Sequence, residues 1–364
     1  MAEFFFDYGL FALKLLTIII GIVAVVVVSV TASMKSKGGP EGHIEVVRVN
    51  DEMEHLRDTL SSAVIDNDEF KIALKKRAKE EKAERKAHLK ALKKNAKKNA
   101  SKGPESDAVT ERKSRVFVLE FVGDIKASAV SSLRQEITAV LSLAEKSDEV
   151  VVRLESGGGM VHAYGLASSQ LQRIKDREIA LTICVDKVAA SGGYMMACLA
   201  SKLLAAPFAI IGSIGVVAQI PNFHRLLKKN DIDFEMITAG EHKRTLTMFG
   251  ENTDKGREKF AEDIEDVHVL FKEFVTSHRP QLNVEEVATG EIWFGQRALG
   301  KSLVDGLMTS DEYISNACEK SDVFEVKYKI KKSLPEKLGI GVQTALDNTL
   351  LKWWDRGTKN QYFS

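Results

Sequence analysis

The stretch with the clearest chemical potential is Val185-Asp-Lys-Val-Ala-Ala-Ser-Gly-Gly-Tyr-Met-Met-Ala197. The apolar run Ile179 to Val185 reads as a buried strand, and the small and apolar residues from Gly192 onward read as a helix. Ser191 stands at the junction. A hydroxyl there lies beside unpaired backbone N–H groups and the positive end of a helix dipole. Two roles fit that place: a nucleophile, or a plain helix N-cap, which serine fills well.

Three further stretches carry groups that could serve such a serine. Glu155-Ser-Gly-Gly-Gly-Met160 follows a strand, and its glycines let the backbone approach a ligand with free amide hydrogens. A flexible strand-to-helix turn accounts for them equally well, and the phosphate-binding patterns G-x-G-x-x-G and Walker Gly-Lys-Ser/Thr are missing. Ser213 is enclosed by two glycines and the apolar run Leu203–Val217, so its hydroxyl needs a partner, either a backbone carbonyl or a catalytic group. Gly240-Glu-His-Lys-Arg-Thr-Leu-Thr247 supplies candidate bases. Arg244 is excluded from that role because a guanidinium does not deprotonate.

A nucleophilic serine needs a general base. His162, His224, His242 and His268 all lie in the region that should fold, so a Ser-His-Asp triad is open on residue count, although none occupies a recognisable triad setting. Ala189-x-Ser191-x-Gly193 is only a loose version of the nucleophile elbow. The three cysteines, Cys184, Cys198 and Cys318, lack metal-site spacing. Cys184 and Cys198 sit in apolar runs and read as core residues.

These groups must be positioned by a substantial fold. A chain of 364 residues, 44% of them apolar, can build one large or two modest domains. Its net charge of +1 is unevenly spread. Residues 71–102 hold fourteen Lys or Arg against three Glu, which leaves the remainder at −10, mildly acidic. No specific nucleic-acid partner is implied.

At the N-terminus, Leu15 to Met34 is a run of twenty uncharged residues. As a helix it reaches about 30 Å, the thickness of a bilayer core. Glu3 and Asp7 replace the basic start of a cleavable signal peptide, and the apolar run is too long for one, so an anchor is expected. Lys35, Lys37 and the basic tract beyond favour a cytoplasmic body by the positive-inside rule. Residues 41–70 show the apolar spacing Met53, Leu56, Leu60, Val64 of an amphipathic helix, and residues 71–100 read as a solvated helix or extended linker. The alternative for that basic face is contact with anionic headgroups. Ser101 to Asp107 breaks the helix and marks a boundary.

Beyond it, strand and helix alternate: Val116–Val122 as a strand, then Val130, Leu133, Ile137, Val140, Leu141 and Ala144 at helical spacing, then Glu149–Leu154 as a strand. A short helix over 223–229, a strand over Phe234–Thr238 and a long helix over 254–278 are expected further on.

The ordered set Glu155-Ser-Gly-Gly-Gly-Met-Val161, Ala190-Ser-Gly-Gly-Tyr194, Gly212-Ser-Ile-Gly215 and Gly240-x-x-Lys243 resembles the signal peptide peptidase SppA family of serine-lysine proteases. The likeness is strongest to its SohB branch of bacterial inner-membrane peptidases and covers about residues 114 to 319, with the anchor upstream. It implies an α/β fold of ClpP/crotonase-like repeated β-β-α units. The implied domains are an anchor over 1–40, a charged linker over 41–107, a protease domain over 108–320 and a C-terminal segment, 321–364, making oligomer contacts. It also implies a membrane-anchored serine endopeptidase acting on extended peptides, assembled as a homo-oligomeric ring and needing no metal or cofactor. The family precedent places the catalytic domain in the periplasm, against the Lys/Arg bias.

By the same resemblance Ser191 is the nucleophile and Lys243 the general base. Ser213 orients the lysine, and the backbone at Gly158, Gly159 and Gly192 serves the oxyanion and the substrate. Gly157 stands where relatives carry proline, which loosens the turn. An ordinary lysine, with a pKa near 10.4, is protonated at neutral pH. Lys243 therefore needs an apolar surround, for which Leu246, Met248 and Phe249 are at hand. A crotonase-type acyl-CoA enzyme and a non-catalytic membrane scaffold remain as alternatives on the same fold.

Overall fold

The computed structural model describes residues 42–66 and 113–330, with isolated helical residues between 9 and 21 and between 68 and 90. The chain divides into two compact units, residues 44–327 and a smaller one made of 1–43 with 328–364. In the smaller unit the Gly42 N–H donates to the Tyr328 hydroxyl at 3.1 Å. All that follows concerns the larger unit.

Its centre is a ten-stranded, mostly parallel sheet. The main path runs β1 (Gly42–Arg48), β10 (Asp322–Ile330), β2 (Arg115–Gly123), β3 (Glu149–Ser156), β4 (Ala180–Val185), β6 (Lys202–Ala205) and β9 (Gly306–Leu307). A side branch carries β5 (Val188–Ala190), β7 (Ile210–Gly212) and β8 (Ile292–Phe294), with β8 antiparallel to β7. The central strands are continuous apolar runs because both faces are covered. Alternate residues divide cleanly: Phe117, Leu119, Val150, Val152, Leu181 and Ile183 join one core, while Val116, Val118, Val151 and Cys184 join a second on the other face.

The expected helical spacing is realised in α2 (Val130–Leu141), which buries Leu133, Ile137 and Val140. It packs beside α3 (Val161–Lys175), whose Tyr164, Ala167, Leu171 and Ile174 are buried. The opposite face is covered by α7 (Ser310–Lys320), with Ile314 in the second core, next to α1 (Val49–Val64). Helix α1 forms where residues 41–70 were expected to be helical. Its Leu56, Leu60 and Val64 stripe stays exposed, and the residues just before it form a strand. The sheet thus reaches into both flanking segments through β1 and β10.

One expected strand does not form. Phe234–Thr238 has no regular structure, because no strand edge runs beside it; instead the Phe234 ring meets Phe249 at 5.8 Å. The short helix α5 (His224–Lys229) and the long α6 (Asp254–His278) do form. Helix α6 starts at Thr253, whose side chain accepts from Gly256 N–H. Its C-terminal end is fixed by Arg279, 2% exposed, which is bidentate to Asp305 at 2.8 and 2.9 Å and also donates to the Ser302 carbonyl. Cys184 and Cys198 are buried free thiols, and burial pushes both up to about 12.

The expected membrane span, residues 15–34, falls largely outside the described residues. Among those described, no helix is long and apolar enough to cross a membrane.

Candidate active site

Three loops converge at the C-terminal ends of the parallel strands β3, β5 and β7. Open parallel sheets place ligands at such ends. The register is explicit: Ser156 of β3 pairs with Ala189 of β5, and Ala190 pairs with Gly212 of β7. Each strand is followed at once by a candidate residue, namely the glycines 157–159, Ser191 and Ser213.

Ser191 leads from β5 into α4 (Gly192–Ala197) with φ 53° and ψ −120°. A positive φ is uncommon outside glycine and marks a position the surrounding fold enforces, at about 1–3 kcal/mol. The backbone around it is pinned. Its N–H donates to the Gly212 carbonyl at 2.8 Å, and its carbonyl accepts from Met195 N–H at 3.0 Å. The side chain makes no capping hydrogen bond. The reading of Ser191 as a plain side-chain N-cap therefore falls away.

The glycines beside it are required by close approach. Gly158 has φ 88°, and a Cβ there would lie 2.7 Å from Gly192 N and 2.8 Å from Ser191 Cβ. A Cβ on Gly159 would lie 2.2 Å from the Ile125 carbonyl oxygen, and one on Gly192 would lie 2.5 Å from the Tyr164 ring. Gly157, by contrast, faces open space.

A buried chain of hydrogen bonds secures this turn. The Tyr164 hydroxyl donates to the Asp124 carbonyl at 2.8 Å, so its single proton is committed. Ser156 Oγ, 2.5 Å away, must then donate to the tyrosine oxygen, and it in turn accepts from Gly158 N–H at 3.1 Å. Burial raises the Tyr164 phenol above its ordinary value, which keeps the relay protonated. The Gly158 amide is thus engaged by Ser156 in this conformation. Neither Ser156 nor Tyr164 is identifiable as a site residue from sequence; the signal is only the serine heading the glycine run.

Ser191, Gly158, Gly159, Gly192 and Ser213 all line one cavity of about 580 Å³. Ser213 also has a positive φ, 50°, and its N–H is held by the Glu291 carbonyl at 2.6 Å. Lys243 is not among the lining residues. It is exposed on the segment between β7 and α6, beyond α5, and it makes no ion pair among the described residues. That loop folds on itself through Asn222, which donates to the Thr247 and Gly250 carbonyls, and through the stacked Phe223 and Phe249 rings. The one titratable residue among those lining the cavity is His268 of α6. No grouping of His, Cys, Asp and Glu suited to a metal ion occurs among the described residues.

A serine on a strained strand-to-helix turn, facing a cavity beside a glycine-rich loop, suits acyl transfer. Comparison with known families agrees. Residues 3–171 match the N-terminal model of peptidase family S49, and residues 173–324 match the peptidase family S49 model. The chain is 48% identical over 348 residues to a Haemophilus influenzae protein named "Probable protease SohB", covering 95% of each chain. It is 47% identical over 312 residues to a protein of the same name from Buchnera aphidicola subsp. Schlechtendalia chinensis, covering 86% of this chain and 99% of that one. A "Putative protease SohB" from Buchnera aphidicola subsp. Baizongia pistaciae is 43% identical over 351 residues, covering 96% and 98%. With both halves of its folded region matched and near-full-length relatives this similar, the chain belongs to peptidase family S49, the SppA family, as a SohB-like peptidase.

Proposed function

We propose that this peptidase is a membrane-anchored serine endopeptidase working through a Ser191–Lys243 dyad on a ClpP/crotonase-like scaffold. The observation that carries it is the backbone of Ser191: φ 53° at a strand-to-helix junction, with the residue lining the cavity and its hydroxyl uncommitted to the helix.

In the proposed cycle, Ser191 Oγ attacks the scissile carbonyl while neutral Lys243 Nζ takes its proton. The carbonyl oxygen becomes an oxyanion beside backbone N–H groups at Gly192 and at Gly158 or Gly159. Collapse expels the amine, which takes the proton from Lys243, and leaves an acyl-enzyme. Water, deprotonated by Lys243, then releases the acid and restores Ser191. Ser213 holds the lysine amine. No cofactor enters.

The loop that carries Lys243 also exposes Val217 (81%) and Ile237 (96%), an apolar surface suited to another copy of the chain. Ring assembly is the step that brings Lys243 into a cavity, its own or a neighbour's. Residues 15–34 supply the anchor in a bacterial inner membrane, and the glycine-rich turn offers an edge for an extended peptide substrate. The test is peptide cleavage by detergent-solubilised protein, with Ser191→Ala, Lys243→Ala and their mixture. Both single variants should be inactive. Cleavage by either alone overturns the dyad, and activity in the mixture means that the two residues come from different copies.

A further inference from the structure

Two successive residues at the end of β7 carry positive φ, Gly212 at 104° and Ser213 at 50°. The second is costly for a residue with a Cβ and persists only where the surroundings enforce it. Part of the enforcement comes from the backbone. Strand β8 pairs with β7 through Ile211–Trp293 and Gly212–Ile292, and the bonding continues past the strand end. There Ser213 N–H donates to the Glu291 carbonyl at 2.6 Å, and Gly290 N–H donates to the Ile214 carbonyl at 3.1 Å. The Gly212 carbonyl accepts from Ser191 N–H at 2.8 Å.

The rest comes from one side chain. The Trp293 ring packs against the main core and lies so close to Gly212 that a Cβ there would stand 2.8 and 2.9 Å from two of its ring carbons. The ring has its own support, because the Lys301 ammonium sits 5.6 Å from its centroid and pairs with Glu286 at 2.5 Å. Trp293 is not among the residues lining the cavity, whereas Ser213 is. A large, stiff side chain therefore backs the turn that presents Ser213 without itself reaching the site. We infer that Trp293 is a positioning residue: acting through Gly212, it holds the Ser213 hydroxyl where it orients the base. A smaller side chain at 293 leaves a gap beside Gly212, whose backbone is the freest of any residue type, and the turn is then held by the ladder bonds alone. This inference rests on the protease reading, with Ser213 in its proposed role, and deepens it.

The discriminating experiment is a double-mutant cycle on peptide cleavage by the full-length, detergent-solubilised protein: wild type, Trp293→Leu, Ser213→Ala and the double variant, with thermal unfolding followed for each. Trp293→Leu should lose at least about tenfold in kcat while KM changes little. In the Ser213→Ala background the same substitution should cost no more than about twofold, because the group it positions is already gone. Trp293→Phe, whose smaller ring fills part of the space, should lose less than Trp293→Leu. The same non-additivity is expected of Trp293→Phe, and it carries the cycle if Trp293→Leu does not fold. Losses that multiply would mean that Trp293 supports the fold as a whole, and they overturn the inference. Wild-type turnover in Trp293→Leu, or in Ser213→Ala, overturns it as well, with the protease intact. A wild type that cleaves no peptide overturns the protease reading itself.

Discussion

Ser191 and Ser213 occupy matching places at the ends of two paired strands. Ala190 and Gly212 form the last register pair of β5 and β7, and each is followed by a serine with positive φ, 53° and 50°. The Ser191 N–H reaches across to the Gly212 carbonyl at 2.8 Å. The separation of the two residues is therefore set by sheet geometry rather than by loops, which suits the proposed roles of nucleophile and base-orienting group.

The strain at Ser191 predicts a separation of stability from activity. Ser191→Gly removes the Cβ that disfavours φ 53°, so thermal unfolding should occur at or above the wild-type temperature while cleavage falls at least about 10³-fold. Ser191→Ala should lose as much activity without the gain. A marked drop in melting temperature for the glycine variant would mean that the backbone there is unstrained.

The relay from Gly158 N–H through Ser156 and Tyr164 to the Asp124 carbonyl should be measurable in urea unfolding. Tyr164→Phe leaves Ser156 Oγ and the Asp124 carbonyl without their partner, and a loss of about 1–3 kcal/mol is expected. Under the proposed mechanism, in which the turn's amides serve the oxyanion, kcat should fall more than KM rises. A variant as stable as wild type would show the relay to be dispensable.

Adjacent glycines should respond oppositely. Gly157→Ala meets nothing within 4 Å and should be neutral or stabilising by about 0.4–1 kcal/mol, through the unfolded chain. Gly158→Ala puts a Cβ against the backbone of the Ser191 turn at φ 88°, and should cost at least about 1–3 kcal/mol and abolish cleavage. Chemical denaturation of both proteins decides this.

Acid stability should depend on Asp305. Partial burial pushes its carboxyl up, but the Arg279 hydrogen bonds and charge, with Leu203 N–H, outweigh this and hold it below the ordinary value of 3.8. A depressed carboxylate contributes stability that is complete above its unfolded value and disappears as the pH falls through the folded one. Unfolding free energy should therefore decline on acidification below about pH 4, and Asp305→Asn should flatten that decline while lowering stability at neutral pH. An unchanged acid limb in Asp305→Asn would refute the assignment.

Much of this arrangement is written locally. Strands β2, β3 and β4 are short, mostly apolar runs rich in Val, Ile, Leu and Phe, and α2 and α6 repeat their apolar residues at helical spacing, so their patterns specify them. The glycine turn, Ser191 and Ser213 stand out because each punctuates an apolar run. What was hidden depends on distant partners. Strands β1 and β10 lie in segments that read as a charged linker and, by the family resemblance, as a C-terminal segment making oligomer contacts, and they are strands because they extend the sheet beyond β2. Phe234–Thr238 has strand-like residues and no edge to join. His268 becomes a cavity wall only when α6 closes over α4, which its own period does not state. Lys243 lies outside the cavity although its motif follows those of Ser191 and Ser213 in order, so the motif order alone does not give its place in space.

The β5–β7–β8 branch has one more consequence, for the order of events during synthesis. Ser213 is held by the carbonyl of Glu291, and β7 gains its outer neighbour only with Ile292–Phe294, roughly eighty residues downstream. At about 5–20 residues per second, the ribosome takes several seconds to cover that distance. Until then the Ser213 N–H lacks that anchor, although α6 has already been made. In a chain built this way the Ser213 corner of the cavity is completed only after Ile292–Phe294 has been made.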